Sequence, residues 1–188
     1  LDVPVMVGGV AGYSQAKHLM RTGAAGVLVG FGGGSAMTTR KGLGISAPMA
    51  TAIADVAAAR SDYLDESGGR YVHVIADGGL SRSGDLVKAL ALGADAVMIG
   101  APLARASEAP GQGWYWGNEA HSVDFPRGVR TPLGVVGTLE EVLYGPSHHV
   151  DGTSNIVGAL KRAMATCGYL DLKKFQKAEM TLVPEYRG

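Results

Sequence analysis

One cysteine, Cys167, stands among the 188 residues. A lone thiol excludes an internal disulfide and a Cys-rich metal site, and it fits a reducing compartment. An excess of charge is missing too, because 17 basic and 17 acidic side chains cancel. With no basic block, the electrostatic footprint of a nucleic-acid or anionic-membrane binder is absent. Apolar runs are short: the stretch from Ala91 to Ile99 is interrupted by Gly93 and Asp95 and falls well short of a spanning helix. No secretory signal is visible, so the expected setting is cytoplasmic. The chain begins at Leu1 and enters an apolar run from Val3 to Val7 almost at once, so it reads like a piece of something longer.

What the sequence does hold is apolar content of 46%, enough for one core-bearing domain over residues 1–188. It also holds 29 glycines, about twice average usage, and they fall in a register. Val3-Pro4-Val5-Met6-Val7-Gly8-Gly9 recurs, seventy positions on, as His73-Val74-Ile75-Ala76-Asp77-Gly78-Gly79. Gly23, Ala24, Val27 and Gly30 recur as Gly93, Ala94, Val97 and Gly100. Each copy reads as a strand, a Gly-Gly turn, an amphipathic helix, a glycine stop, a strand and a glycine.

Short β-rich runs that alternate with helical patterns signal βαβ units and a parallel sheet. Ser14 is placed to cap a helix through Ala16, Leu19 and Met20, and Ser83 one through Leu86, Ala89 and Leu90. Pro48 suits the first turn of an Ala-rich helix running to about Leu64, and a last helix is expected from Ile156 to Thr166 with Gly168 beyond it. Four βα units are half of a (β/α)₈ barrel, which takes about 250 residues. A small open doubly wound sheet is the alternative, and the half barrel is preferred.

In such a barrel the loops after the last two strands, with a short extra helix, form the usual phosphate site. Here those strands end in Asp77-Gly78-Gly79 and Gly100-Ala101, and a short helix through Leu103 and Ala106 is expected next. Backbone N–H groups at glycine turns approach an anion closely, and Asp77 can accept hydrogen bonds from two ribose hydroxyls. A nucleoside monophosphate suits both groups.

With these residues in view, the run Gly30-Phe31-Gly32-Gly33-Gly34-Ser35-Ala36-Met37-Thr38-Thr39-Arg40 resembles the active-site loop of the IMP dehydrogenase and GMP reductase family, G-x-G-S-x-C-T-T. The strands around Asp77-Gly78-Gly79 and Met98-Ile99-Gly100, the run Lys88 to Ala94, and Glu108-Ala109-Pro110-Gly111 resemble the same family. The likeness covers the carboxy-terminal half of its (β/α)₈ (TIM) barrel. Gly113-Trp114-Tyr115-Trp116 and Phe175-Gln176-Lys177 are most similar to an actinobacterial branch of IMP dehydrogenase family proteins.

The resemblance implies that Ser35, Gly78, Gly79, Gly100 and Ala101 hold the phosphate of a purine monophosphate, IMP or GMP, and that Asp77 holds its ribose. It implies a K+ site on the carbonyls of Gly32, Gly34 and Met37, Thr39 near the base, NAD or NADP as cofactor, and a homo-oligomer, by family a tetramer. For Thr38 and Thr39, helix capping is the plainer role. Met37 stands at the position of the nucleophilic cysteine. The family's chemistry needs a thiolate to attack purine C2, and a thioether has none, so turnover is expected to be weak or lost. Cys167, among apolar neighbours, reads as buried packing. Gln112 stands where GMP reductases carry an acidic residue, and Gly9 where many dehydrogenases carry an Asn.

Residues 111–151, too long for an ordinary connection, correspond to the family's mobile flap, in which Arg127 or Arg130 would supply the base. His121, His148 and His149 lack a spaced third ligand and read as loop residues. Lys161-Arg162 and Lys173-Lys174 read as solvated charge. Two other functions remain open: a catalytically silent regulatory paralogue that binds the nucleotide, and an FMN-dependent barrel oxidoreductase, since hydroxy-acid oxidases carry a similar D-G-G loop.

Overall fold

The computed structural model describes residues 3–116, 130–181 and 183. Four parallel strands, β1 (Met6–Val10), β2 (Gly26–Val29), β3 (His73–Asp77) and β4 (Ala96–Met98), lie side by side in sequential order. That order decides between the two architectures: a doubly wound sheet reverses its strand order at a switch point, whereas a barrel adds each strand beside the last. The chain forms half of a (β/α)₈ barrel.

Helix α1 (Tyr13–Arg21) links β1 to β2, α2 (Thr39–Leu43) and α3 (Met49–Glu66) link β2 to β3, and α4 (Ser83–Ala91) links β3 to β4. Alternate strand residues Val27, Val29, Val74 and Ala76 point into the helix layer and are fully buried. They pack with Met20 of α1, Ile53 and Val56 of α3, and Leu86 and Ala89 of α4. The period of two in the strands meets the 3.6 period of the helices, and a dry layer forms between them. Beyond β4 come α5 (Ala101–Ala104), an antiparallel hairpin of β5 (Trp114–Trp116) and β6 (Arg130–Pro132), then α6 (Leu139–Leu143), α7 (Ile156–Thr166) and α8 (Leu172–Phe175). Phe175 of α8 is buried against Leu90 and Ala91 in a smaller second core. Among the described residues, no helix is long and apolar enough to cross a membrane.

The seventy-residue repeat holds for the helices, since α1 begins at Tyr13 and α4 at Ser83. It fails for the first strand. β1 runs from Met6 to Val10 instead of Val3 to Val7, so Gly8 and Gly9 lie inside the strand and make no turn after it. Pairing with β2 runs through the glycines, Gly8 beside Leu28, and only glycine fits there: a Cβ on Gly8 would stand 2.5 Å from the Cβ of Leu28, and one on Gly9 would strike the Gly30 carbonyl oxygen. The caps differ as well. Gly12 and Arg82 occupy the N-cap positions of α1 and α4, with no side-chain cap bond, so Ser14 lies two positions past its cap and Ser83 one. Pro48 is the N-cap of α3, and α7 has the expected bounds. Cys167 is exposed at the C-cap of α7, past the last helical residue Thr166, so it is not the buried packing residue expected.

A polar cluster closes the end of the sheet opposite the strands' carboxyl ends. The Asp95 side chain, 8% exposed, accepts from Arg60 at 2.8 Å, Tyr71 at 2.6 Å, the Val74 N–H at 2.9 Å, Gln176 at 3.1 Å and Lys173 at 2.5 Å. Burial alone would raise the Asp95 carboxyl; the bonds from Lys173, Tyr71, Val74 and Gln176 outweigh it and hold the group well below the usual carboxylate range. Lys173 is therefore not merely solvated charge. Its ammonium ties α8 to the sheet and, with the Arg60 guanidinium on the other carboxylate oxygen, balances the desolvated charge of Asp95.

Candidate functional site

At the carboxyl ends of the four strands lies a cleft of about 930 Å³. Its floor is glycine backbone. The loop after β2 passes over the loop after β3 so closely that a Cβ on Gly33 would come within 3.1 Å of the Gly78 carbonyl carbon and 3.2 Å of the Gly79 nitrogen. Gly78 and Gly79 have φ of 101° and 74°, a left-handed region that side chains rarely tolerate. Two glycine loops stacked this way expose successive N–H groups without covering them.

The structure brings together Gly32, Gly34, Ser35, Met37, Thr39, Asp77, Gly78, Gly79, Gly100 and Ala101, all of which line this cleft. Arg127 and His121 lie outside the described residues. Arg130 is described; it is not among the residues that line the cleft and stacks on Trp114 and Trp116. His148 and His149 are exposed in the loop after α6. Among the described residues, no group of His, Cys, Asp or Glu is arranged to hold a metal ion.

Asp77 ends β3 opposite Met98 of β4. Among the described residues its carboxylate accepts no hydrogen bond, and burial raises its pKa. The group is thus half-buried at the cleft with its acceptor capacity unused. Met37 is 37% exposed and its N–H donates to the Gly34 carbonyl at 3.0 Å. Thr38 is the N-cap of α2 and Thr39 its first residue, packed over Gly32. Gln112 adopts φ of 46° and donates through Nε2 to the carbonyls of Ser107 at 3.0 Å and Ala109 at 3.2 Å. It clasps its own turn and does not face the cleft. At Gly9 the Gly30 carbonyl leaves no room for a Cβ, so the side chain that many dehydrogenases place there has no space in this chain.

Sequence reasoning missed part of the cleft wall. Met98, Ser81, Tyr115 and Trp116 also line it. The signal for Tyr115 was present in Trp114-Tyr115-Trp116, since strand alternation turns it to the face opposite the two tryptophans; Trp116 borders the cleft from the strand's end.

The matched profile covers residues 1–128 and describes an IMP dehydrogenase / GMP reductase domain. The chain belongs to the IMP dehydrogenase / GMP reductase family. It is 58% identical over 185 residues to an uncharacterized oxidoreductase of Mycolicibacterium smegmatis, covering 97% of this chain and 49% of that one. It is 33% identical to inosine-5'-monophosphate dehydrogenase of Aquifex aeolicus, covering 94% of this chain and 38% of that one. A crystal structure of an IMP dehydrogenase/GMP reductase-like protein from Corynebacterium glutamicum superposes with a TM-score of 0.85 at 58% identity, over 95% of this chain and 47% of that one. The chain spans about half the length of the relatives it matches. Within the family's half barrel, the cleft lies where βα loops carry function.

Proposed function

We propose that the protein is an oxidoreductase-family member that binds a purine nucleoside monophosphate, IMP or GMP, with turnover weak or lost. The observation that carries this reading is the convergence of the described candidates on one cleft at the strands' carboxyl ends. In it, Ser35, Gly78, Gly79, Gly100 and Ala101 take the phosphate, Asp77 the ribose hydroxyls, and Thr39 sits toward the base. Met37 occupies the place of the nucleophile. Addition to purine C2 requires a sulfur that can give up a proton and later leave, and the Met37 thioether does neither. A silent nucleotide-binding paralogue is the second reading, favoured by that one side chain.

A K+ ion fits the loop in donor chemistry, since Gly32, Gly34 and Met37 offer carbonyl oxygens. The Gly34 oxygen already accepts from Met37 but keeps a second lone pair. Such an ion would hold the loop's shape. For NAD or NADP, whose nicotinamide exchanges hydride in this family, the cleft wall of Gly8, Gly9, Leu28 and Met98 offers backbone groups and apolar surface that would hold a planar ring. By family the protein would assemble as a homo-oligomer, a tetramer, in the cytoplasm; Met6 and Met98, 60% and 48% exposed, lie on the two edge strands, which need cover.

The test is calorimetric titration with IMP and GMP beside an NADH absorbance assay, each with the Met37→Cys variant. Binding without turnover, and NADH production with IMP and NAD gained by the cysteine, is expected. Failure of both nucleotides to bind overturns the nucleotide reading, and robust NADH production by the unmodified protein overturns the assignment of a silenced nucleophile.

A further inference from the structure

The cleft poses a problem for any phosphate ligand. Among the described residues that line it there is no Lys, Arg or His, and the one charged side chain is the carboxylate of Asp77. A phosphate dianion would have to be held there by neutral donors alone, so each well-placed N–H or O–H counts for more than it would beside a cation.

One such donor is supplied by the hairpin. On β5, Trp114 and Trp116 share a face and hold the Arg130 guanidinium 5.2 and 5.4 Å from their ring centroids, Trp116 also bordering the cleft. That stack fixes the strand, and alternation turns Tyr115 to the other face, into the cleft. Its hydroxyl reaches the junction of β4 and α5: a Cβ built on Gly100 would lie 2.7 Å from Tyr115 Oη. Only glycine leaves space for the phenol there. Among the described residues the Tyr115 hydroxyl makes no hydrogen bond. Its register partner on β6, Thr131, donates through Oγ1 to the Ser35 carbonyl at 3.3 Å. The Tyr115–Thr131 row therefore bridges the two loops, one residue reaching Gly100 and the other Ser35.

We infer that the Tyr115 hydroxyl is a further ligand-binding donor, closing the phosphate cradle over Gly100 and making the site select phosphorylated over unphosphorylated nucleosides. The inference rests on the nucleotide reading given above. The hairpin is then a wall of the site, pinned by Thr131 and stiffened by the Trp-Arg-Trp stack, and the phenol replaces the cationic side chain the cleft lacks. The donor sits on the phosphate side, so its contribution is absent when the phosphate is absent.

The experiment is calorimetric titration of the protein and its Tyr115→Phe variant with IMP, GMP, inosine and guanosine. Removing one hydrogen bond to a charged group is expected to weaken IMP and GMP by about ten- to hundredfold and to leave the weak nucleoside affinities unchanged. A merely structural role would lower all four together, and that result overturns the inference, as does equal nucleotide affinity in the two proteins. If the unmodified protein binds neither nucleotide, the nucleotide reading itself falls and the inference with it. A matching melting temperature for the isosteric variant shows that the fold is intact. Thr131→Val, which cuts the tether to Ser35, is expected to weaken IMP and GMP in the same selective way, and uniform weakening of nucleoside and nucleotide would refute the role of the bridge.

Discussion

Replacing Asp77 by Asn should move ligand affinity and protein stability in opposite directions. In the free protein the carboxylate is half-buried, accepts no hydrogen bond among the described residues, and has its pKa raised by that burial. Its ionisation therefore costs stability. For an acid whose folded pKa lies above its unfolded value, the folded state holds more protons in the interval between them. The cost is absent below the unfolded value of about 3.9 and fully present above the folded one. Asp77→Asn should thus raise the melting temperature at neutral pH and lose that advantage as the pH falls through this window.

For the ligand the sign is reversed. A carboxylate accepting from two ribose hydroxyls makes two charge-assisted bonds of about 1.5–3 kcal/mol each, of which an Asn carbonyl keeps one neutral bond of about 1 kcal/mol. The net loss is about 2–5 kcal/mol, or roughly 30- to 5000-fold in Kd for IMP and GMP. The assay is calorimetry with thermal melts at several pH values on both proteins, so that protonation of the nucleotide itself cancels in the ratio. A variant that binds within about threefold of the original, or that melts lower at neutral pH, refutes the reasoning: the carboxylate would then not face the ligand, or its burial would not be a cost.

Other substitutions probe the scaffold. Asp95→Ala should cost about 3 kcal/mol, since it leaves Arg60, 13% exposed, without its buried partner, and should lower the melting temperature by about 10 °C. Because the Asp95 pKa is depressed in the folded protein, its contribution is complete above the unfolded value and is lost as the pH falls toward the folded one. The deficit of the variant should accordingly narrow in strong acid, and a deficit that widens there would contradict the network. Gly30→Ala should destabilise the protein by about 2 kcal/mol or more. Gly30 has φ of 112°, and a Cβ there would stand 2.5 Å from both the Asp77 carbonyl oxygen and Met49 Sδ. Equal denaturation midpoints for the two proteins would show that the loop relaxes freely.

The sequence by itself determined the elements and much of the site. Local signals were enough for α7, whose apolar spacing and trailing Gly168 gave its bounds, and for the strand-helix alternation that makes parallel units. The glycine loops were legible because backbone that must approach other backbone closely admits no Cβ, a constraint that acts residue by residue. Tertiary structure alone decided the rest. The position of β1, three residues from where its repeat would place it, depends on contacts of Gly8 and Gly9 with Leu28 and Gly30 across the sheet. The Asp95 cluster joins residues 60, 71, 74, 95, 173 and 176, and no local pattern announces a carboxylate whose donors are so far apart in the chain. Tyr115 faces the cleft because the hairpin folds back over Gly100 and Ser35. Alternation fixes which residues share a face of a strand, but only packing against the barrel decides which face meets the site.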